Sequence, residues 1–480
     1  MAEGNTGNLD SADDGRARRR IEALVDADSF VATGESGDAS AAGFARIEGR
    51  RVCVHADGGR RLAGRTTVGA ARRLQALLAA AGRSGAPVIF VLDGSGSRLD
   101  QGLGGLAAWA EVLAATARLD GRCLLLAVLC GPVSGAGGLL PGLADLVVSI
   151  PGASVSCRDE EGPASGRGPA LASAGTERPD EPTFPVRDLT AEPGGGGLEL
   201  AARDEEQAFA LLRTLLAMLA EPAPTPSAPE VSLTGESARP VLAATTIPQD
   251  PNTPWDVRPL VRDLVDDAAL LALGDGREPL FLALARIGGR TTGILANRAD
   301  CRAGVPDQVQ LLRSARFVRL CDRRGLPIIL LIDVPALAGE WARDGAASVA
   351  AAASELVATL ARAQVPRLTV LLRKGFGAAL LAMAGLPALA DQVLALPAAQ
   401  LAAALPDSAL EWLHGREIAD ADDPLARRDA LADEYQLQES AAERAADRGL
   451  VDAIVPLEGL RQALLDNLTT LRRSGRPKSD

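Results

Sequence analysis

The chain has 480 residues, 47% of them hydrophobic, and a formal net charge of −12. This length exceeds one ordinary domain core and fits two domains, whereas an acidic balance without a basic block argues against binding to nucleic acid or an anionic membrane. With only 2 histidines, a His-based catalytic triad or a protein-built metal site is disfavoured, and we predict no metal.

The first segment in chain order is polar. Residues 1–15 are rich in Gly, Asn and acidic residues, which predicts disorder. They contain no hydrophobic stretch of the kind that a secretory signal needs, and no apolar run in the chain is long enough for a transmembrane helix. We therefore expect a cytoplasmic protein with a disordered N-terminus, followed by a short helix over 16–26.

Strand-like and helix-like runs then alternate. The runs 87–93 (PVIFVLD) and 123–130 (CLLLAVLC) are typical of buried strands, whereas 69–82 (GAARRLQALLAAAG) is typical of a helix. This alternation indicates an α/β protein with buried strands. Two stretches break the pattern, namely 152–200, which predicts a long loop, and 231–255, which predicts a Pro-rich linker.

The second half of the chain repeats the first at a distance of about 240 residues. The run ARIEGRRVCVHA over 45–56 returns as ARIGGRTTGILA over 285–296, and the strand that ends at Asp93 returns as the strand that ends at Asp333. Because these blocks keep their order and spacing, we predict two copies of one fold. The two predicted domains are 16–230 and 256–480.

Each copy carries a cluster of small residues between a strand and a helix. The clusters are Gly131, Gly135, Ala136, Gly137 and Gly138 in the first half, and Gly375, Gly377, Ala378 and Ala379 in the second. Small residues let a ligand approach the backbone, and the N–H groups at a helix start attract negative charge. Two such amides can form an oxyanion hole. The alternative is that these residues serve only close helix–strand packing in an Ala-rich protein.

Several stretches resemble the carboxyltransferase (β) subunit of biotin-dependent acyl-CoA carboxylases of the propionyl-CoA carboxylase type. In the second half these are 251–267 (PNTPWDVRPLVRDLVDD), 314–335 (SARFVRLCDRRGLPIILLIDVP) and 365–383 (VPRLTVLLRKGFGAALLAM). In the first half they are 85–102 (GAPVIFVLDGSGSRLDQG) and 131–148 (GPVSGAGGLLPGLADLVV). Together they identify the chain as a divergent member of this family over nearly its whole length.

The resemblance implies two tandem crotonase/ClpP-like ββα-superhelix domains in a homo- or hetero-hexamer of carboxyltransferase subunits, with active sites between protomers. It implies that CO2 passes from carboxybiotin to the α-carbon of an acyl-CoA. Biotin would be the cofactor, carried on a biotin carboxyl carrier or biotin carboxylase subunit, and a coenzyme A thioester would be the substrate. The freed biotin would act as the base, so that no catalytic histidine is needed.

The resemblance also assigns site residues. The catalytic groups would be the backbone amides of Gly135 and Ala136 in one oxyanion hole and of Ala378 and Ala379 in the other. The expected substrate-binding residues are Leu381, Gly377, Arg373, Lys374, Gly131 and Gly137. Leu381 lies at the position that determines the preferred acyl-chain length in the family. Arg373 and Lys374 would meet the phosphates of CoA or a partner carboxylate, or else form a solvated pair at a strand end. Asp93 and Asp333 would each cap the following turn or orient a substrate.

Departures from the family pattern leave three functions open. The family's double glycine reads Gly135-Ala136 and Gly377-Ala378, which would strain the backbone if the alanines needed a positive φ. The segment 152–200 keeps nothing of the family's substrate-proximal segment. The chain is therefore an active carboxyltransferase, a non-catalytic paralogue that assembles with an active subunit, or a decarboxylase acting on a malonyl-type thioester or a polyketide acid.

Overall fold

The computed structural model divides into two compact units, Met1–Ala220 (unit 1) and Glu221–Asp480 (unit 2). The described residues are 15–34, 40–58, 66–94, 96–98, 101–156, 187–188, 197–220, 247–266, 270–274, 276–339, 345–436 and 440–473.

Unit 1 alternates strands and helices. Its helices are α1 (Arg16–Leu24), α2 (Val68–Ser84), α3 (Gly102–Ala117), α4 (Leu140–Leu143) and α5 (Glu205–Leu219), with a 3₁₀ turn at Gly135–Leu139. Its strands are β1 (Val31–Ala32), β2 (Ser40–Ile47), β3 (Arg50–Asp57), β4 (Val88–Leu92), β5 (Leu125–Leu129), β6 (Pro132–Val133), β7 (Leu146–Ser149), β8 (Ser154–Val155), β9 (Arg187–Asp188) and β10 (Glu199–Ala201). The short first helix, the helix predicted over 69–82 and the two buried strands that follow it are thereby confirmed.

Unit 2 repeats this order and extends it. Its helices are α6 (Arg258–Leu264), α7 (Gln308–Arg323), α8 (Gly345–Arg362), α9 (Gly377–Ala382), α10 (Pro406–Ala419), α11 (Pro424–Tyr435), α12 (Ala442–Asp447) and α13 (Leu460–Arg473), with 3₁₀ turns at Arg302–Gly304 and Leu457–Gly459. Its strands are β11 (Leu270–Leu273), β12 (Leu280–Ile287), β13 (Arg290–Asn297), β14 (Ile328–Val334), β15 (Arg367–Phe376), β16 (Gln392–Ala395), β17 (Gln400–Ala402) and β18 (Ala453–Ile454).

The two main sheets share one topology. The strand order is β1-β2-β3-β4-β5-β7-β10 in unit 1 and β11-β12-β13-β14-β15-β16-β18 in unit 2, where β17 also pairs with β15. In each sheet the first three strands are antiparallel and the later ones are parallel. The prediction of two copies of one fold is confirmed.

The repeat extends to the hairpin turn that enters each parallel sheet. The turn at 48–49 between β2 and β3 has positive φ at both residues, and so has the turn at 288–289 between β12 and β13, as a two-residue hairpin connection requires. The carboxylate of Asp26 accepts both amides of the first turn at 2.8 Å. Asp266 accepts both amides of the second, at 3.1 and 2.7 Å.

The central parallel strands of both sheets are buried along their whole length. All five residues of β4 and all five of β5 are buried, and in unit 2 every residue of β14 and β15 is buried. Continuous apolar strands of this kind need cover on both faces. In unit 1 the helices α2 and α3 supply part of that cover, and in unit 2 the helices α6 and α13 do the same.

Two sequence-based boundaries need correction. Residues 247–255, assigned to the linker, belong to unit 2, because Trp255 is buried in its core and Ile247 packs against the same core. The segment 152–200, predicted as a loop, begins with strand β8 and ends in strand β10, which pairs with β7. Apart from 187–188, residues 157–196 of the predicted loop lie outside the described residues. The same is true of 1–14, for which disorder is predicted, and of the predicted linker over 231–246.

Candidate functional site

A turn of unusual backbone geometry follows a central strand in each unit. In unit 1, Ser134 is extended, Gly135 has a φ of 58°, and the 3₁₀ turn begins. In unit 2, Phe376 is extended, Gly377 has a φ of 53°, and α9 begins. Neither Ser134 nor Phe376 makes a side-chain capping bond. Because the first N–H groups of a helix have no acceptor within it, both turns are candidates for binding an anionic oxygen.

The positive φ falls on the glycine of each turn and not on the alanine after it. Gly135 and Gly377 have left-handed φ values, whereas Ala136 and Ala378 are absent from the described non-glycine residues with positive φ. The condition for strain at the two alanines, a positive φ, is therefore not met. Alanine keeps its amide at these positions and fits their backbone, so these two departures from the family pattern leave the geometry of both turns intact.

Gly96 lies against the amide of the first turn. Its N–H donates to the carbonyl of Ser134 at 3.0 Å, and the N–H of Ser134 donates to the carbonyl of Gly94 at 3.3 Å. A Cβ on Gly96 would lie 2.7 Å from the Ala136 nitrogen and 3.3 Å from the Gly137 nitrogen. A bare glycine thus keeps this amide accessible. The sequence analysis missed Gly96, although its place in the run Gly94–Ser95–Gly96 after a buried strand was a usable signal.

The other glycines assigned to substrate binding occupy different positions. A Cβ on Gly131 would lie 2.2 Å from Oδ1 of Asp93. Gly131 therefore packs closely on the carboxylate of Asp93, and its contact with substrate stays a prediction. Gly137 is buried inside the 3₁₀ turn, next to Ala136.

Arg373 and Lys374 are held inside unit 2. Arg373 is 1% exposed and donates through Nε and Nη2 to Oδ2 of Asp333 at 2.9 and 2.7 Å. Its Nη1 donates to the carbonyls of Asp250 and Thr253 at 3.0 and 2.9 Å. Nζ of Lys374 donates to a backbone carbonyl of the same segment. Burial lowers the pKa of Lys374, although Asp333 opposes this effect.

This arrangement corrects the roles expected for both cations. They neither reach a CoA phosphate nor form a solvated pair, because the carboxylate of Asp333 and the carbonyls of 250–253 take their donors. Trp255 completes the cluster, since its Nε1 donates to Oδ2 of Asp333 at 2.7 Å and its ring centroid lies 5.4 Å from Cζ of Arg373. The cluster holds the end of β15, from which the second turn begins.

Unit 1 has an equivalent carboxylate with different partners. Asp93, which follows β4, pairs with Arg20 of α1 at 2.8 Å, and Arg20 also pairs with Glu205 of α5 at 2.6 Å. Burial raises the pKa of Asp93, and Arg20 opposes this shift. Both strand-end aspartates thus bind a buried arginine, which is neither the capping nor the substrate-orienting role expected for them.

An exposed leucine stands at the same place in both turns. Leu139 and Leu381 each follow the positive-φ glycine by four residues, and they are 47% and 49% exposed. For Leu381 this exposure suits a residue that contacts an acyl chain. Leu139 was missed by the sequence analysis, although its spacing from Gly135 equals that of Leu381 from Gly377.

Within the described ranges, no group of three or more His, Cys, Asp and Glu side chains is placed to hold a metal ion. None of the helices in those ranges is both long and apolar enough to cross a membrane.

The fold is thus that of a protein with two repeated α/β units, each of which carries a turn with uncapped helix-start amides after a buried strand. Residues 13–478 match the carboxyl transferase domain. The chain therefore belongs to the carboxyl transferase family, as a divergent member, and the resemblance seen in the sequence is confirmed.

Relatives and solved structures agree with this assignment. The chain is 28% identical over 496 residues to the biotin-dependent acetyl-/propionyl-coenzyme A carboxylase beta5 subunit of Mycobacterium tuberculosis, covering 95% of this chain and 87% of the relative. It is 27% identical over 472 residues to the propionyl-CoA carboxylase beta chain of Saccharopolyspora erythraea, covering 92% and 84%. The transcarboxylase 12S hexamer structure superposes with a TM-score of 0.83 at 25% identity, covering 97% and 90%. The crotonase-like fold is thereby confirmed.

Proposed function

We propose that this chain is the carboxyltransferase subunit of a biotin-dependent acyl-CoA carboxylase. The observation that carries the proposal is the paired turn, in which Gly135 and Gly377 share a left-handed φ and are followed by helix-start amides without side-chain caps. Two such turns suit a reaction in which negative charge develops on two oxygen atoms.

The turns act by binding oxygen. The amides of Gly135 and Ala136 form one oxyanion hole, and those of Ala378 and Ala379 form the other. One holds the thioester oxygen while the α-carbon carries negative charge, and the amides of the other would hold biotin. Biotin supplies the activated carboxyl group when bound. Preorganised amide donors of this kind are each worth about 10²–10³ in kcat.

The side chains of the described residues support a main-chain mechanism. His55 is buried with its Nε2 3.2 Å from Oδ1 of Asp57, and His414 contacts Glu417 on α10. Burial raises the pKa of Cys130, which lies five residues before Gly135, to about 12, so its thiol stays protonated at neutral pH. None of these groups is a suitable base or nucleophile at either turn.

The names of relatives suggest the partners. The Mycobacterium relative is a subunit of a biotin-dependent carboxylase, and the transcarboxylase 12S structure is a hexamer with methylmalonyl-coenzyme A bound. We propose a hexamer of carboxyltransferase subunits that receives biotin from a carrier or biotin carboxylase subunit. A non-catalytic paralogue is less well supported, because the backbone strain expected at Ala136 and Ala378 is absent.

The test is transfer of label. The full chain is mixed with a biotinylated carrier, biotin carboxylase, ATP, labelled bicarbonate and an acyl-CoA. We expect acid-stable label in the acyl-CoA that depends on the carrier. Label that never appears, together with co-purification of a second carboxyltransferase subunit, would favour the paralogue. Release of CO2 from a malonyl-type thioester without biotin would favour the decarboxylase.

A further inference from the structure

The buried side chain of Arg20 joins helix α1 to the residue that follows strand β4. Its Nη1 lies 2.8 Å from Oδ2 of that residue, Asp93. Its Nε and Nη2 donate to Oε1 of Glu205, at 3.1 and 2.6 Å. Because Glu205 is the first residue of α5, one guanidinium binds carboxylates from two different elements. The rigid, branched donor group of arginine therefore fixes Asp93 relative to both helices.

The chain that follows Asp93 is bonded directly to the first turn. The carbonyl of Gly94 accepts the N–H of Ser134 at 3.3 Å, and the N–H of Gly96 donates to the carbonyl of Ser134 at 3.0 Å. Ser134 precedes Gly135, whose φ is 58°. Both polar backbone groups of Ser134 are thus held by residues that lie just after Asp93, so a displacement of Asp93 also displaces the turn.

Unit 2 holds the equivalent aspartate, Asp333, with an arginine from a different element. This arginine, Arg373 of β15, lies four residues before the positive-φ glycine of the second turn. The same position before the first turn is Gly131, where a Cβ would lie 2.2 Å from Oδ1 of Asp93. Unit 1 has no room for a side chain there, and Arg20 supplies the guanidinium from α1 instead. The charge pair occurs beside both turns although different elements provide it, which points to a role at the turn itself.

We propose that Arg20 and Asp93 are positioning residues for the first turn, which hold the amides of Gly135 and Ala136 in the geometry that binds oxygen. Neither side chain touches a substrate, and both act through the backbone at Ser134. This inference rests on the proposed function, since it concerns the geometry of the same site. A guanidinium offers donors in several directions, so lysine can replace Arg20 only in part.

The first test compares hydrogen exchange in Asp93→Asn and Asp391→Asn, each made in the full chain. Asp391 pairs with Arg367, the first residue of β15, at the end of that strand opposite to the second turn. The two pairs are buried alike, with side chains 3% and 13% exposed for Arg20 and Asp93 and 2% and 16% exposed for Arg367 and Asp391. Both variants should lose stability, because each leaves a buried guanidinium without its carboxylate. Exchange over 131–139 should become faster only in Asp93→Asn.

Kinetics then separate a positioning role from a merely structural one. In carboxyl transfer to an acyl-CoA, Asp93→Asn should lower kcat about 10²-fold, the loss that a displacement of about 1 Å can cause. The KM for the acyl-CoA should change much less, because Asp93 makes no contact with it. Asp391→Asn should keep its kcat. Arg20→Lys should retain more kcat than Arg20→Met, and this pair of variants carries the comparison if Asp93→Asn does not fold.

The outcomes separate this inference from the function on which it rests. Unchanged exchange over 131–139 in Asp93→Asn overturns the positioning role, and so do equal losses of kcat in the Asp93 and Asp391 variants. Carboxyl transfer that is absent from the unmodified chain counts against the proposed function alone, since hydrogen exchange still decides whether Asp93 holds the turn.

Discussion

Replacing Gly96 by alanine is expected to disable the first turn without unfolding unit 1. The added methyl carbon would lie 2.7 Å from the nitrogen of Ala136, closer than real Cβ contacts, and 3.3 Å from both Cβ of Ala136 and the nitrogen of Gly137. Gly96 is not among the described glycines with positive φ. Alanine therefore fits its backbone, and any effect comes from the methyl group alone.

The size of the effect follows from what must move. The methyl group meets backbone, so either the chain at Gly96 or the turn at Ala136 shifts. Overpacking of this kind costs about 1–3 kcal/mol of stability, which leaves the unit folded. Misplacing one oxyanion donor lowers kcat by about 10²–10³. We therefore expect a large loss of kcat with a modest loss of Tm.

The assay is steady-state carboxyl transfer to an acyl-CoA, with Tm measured on the same samples. Gly142→Ala is the matched control, because Gly142 is exposed on α4 and a Cβ there would meet nothing within 4 Å. We expect the control to keep its kcat. A Gly96→Ala variant with the kcat of the unmodified protein would refute the reasoning that bare backbone at this position keeps the amide usable.

Three further changes probe the second turn and its support. Gly377→Ala should lower the free energy of unfolding by about 1–2 kcal/mol, because its φ of 53° disfavours a side chain; urea denaturation measures this. Asp333→Asn should cost about 3–5 kcal/mol in the same assay, since it leaves Arg373 buried without its carboxylate. Burial lowers the pKa of Lys374 below 10.5, so the unfolded chain binds that proton more readily. The free energy of unfolding should therefore rise with pH between the lowered pKa and 10.5, and Lys374→Met should remove part of this rise.

The first two of these changes have matched controls. Gly415→Ala lies on α10 with open space around its Cβ and should be neutral or slightly stabilising; equal losses at both glycines would contradict the φ argument. Asp407→Asn breaks an exposed pair with Arg428 and should cost under about 1 kcal/mol. A pH profile that Lys374→Met leaves unchanged would show that Lys374 is not desolvated as described.

The sequence predicted the fold well because the repeat constrains it twice. The runs 45–56 and 285–296 form equivalent hairpins, and the strands that lead to Asp93 and Asp333 occupy equivalent places in their sheets. Apolar runs and turn residues are local signals, so they can be read without coordinates. The clusters around Gly135 and Gly377 were found in the same way.

Details that depend on distant contacts could not be read. Arg373 and Lys374 look like surface cations in sequence, but their partners lie 40 or more residues away in the chain. The φ values of Ala136 and Ala378, which show that neither residue is strained, depend on backbone geometry that residue identity does not reveal. The role of Gly96 beside the first turn follows only from its contact with Ala136, 40 residues later in the chain.

The central claim is that main-chain amides carry the chemistry, and removing one of them tests it most directly. Ala136→Pro deletes the N–H of Ala136, which is the second residue of the 3₁₀ segment and has no acceptor within it, and Ala136→Gly keeps this N–H. The account predicts that the proline variant loses about 10²–10³ in kcat while the glycine variant stays within a few fold. Equal activity of the folded proline and glycine variants would contradict it.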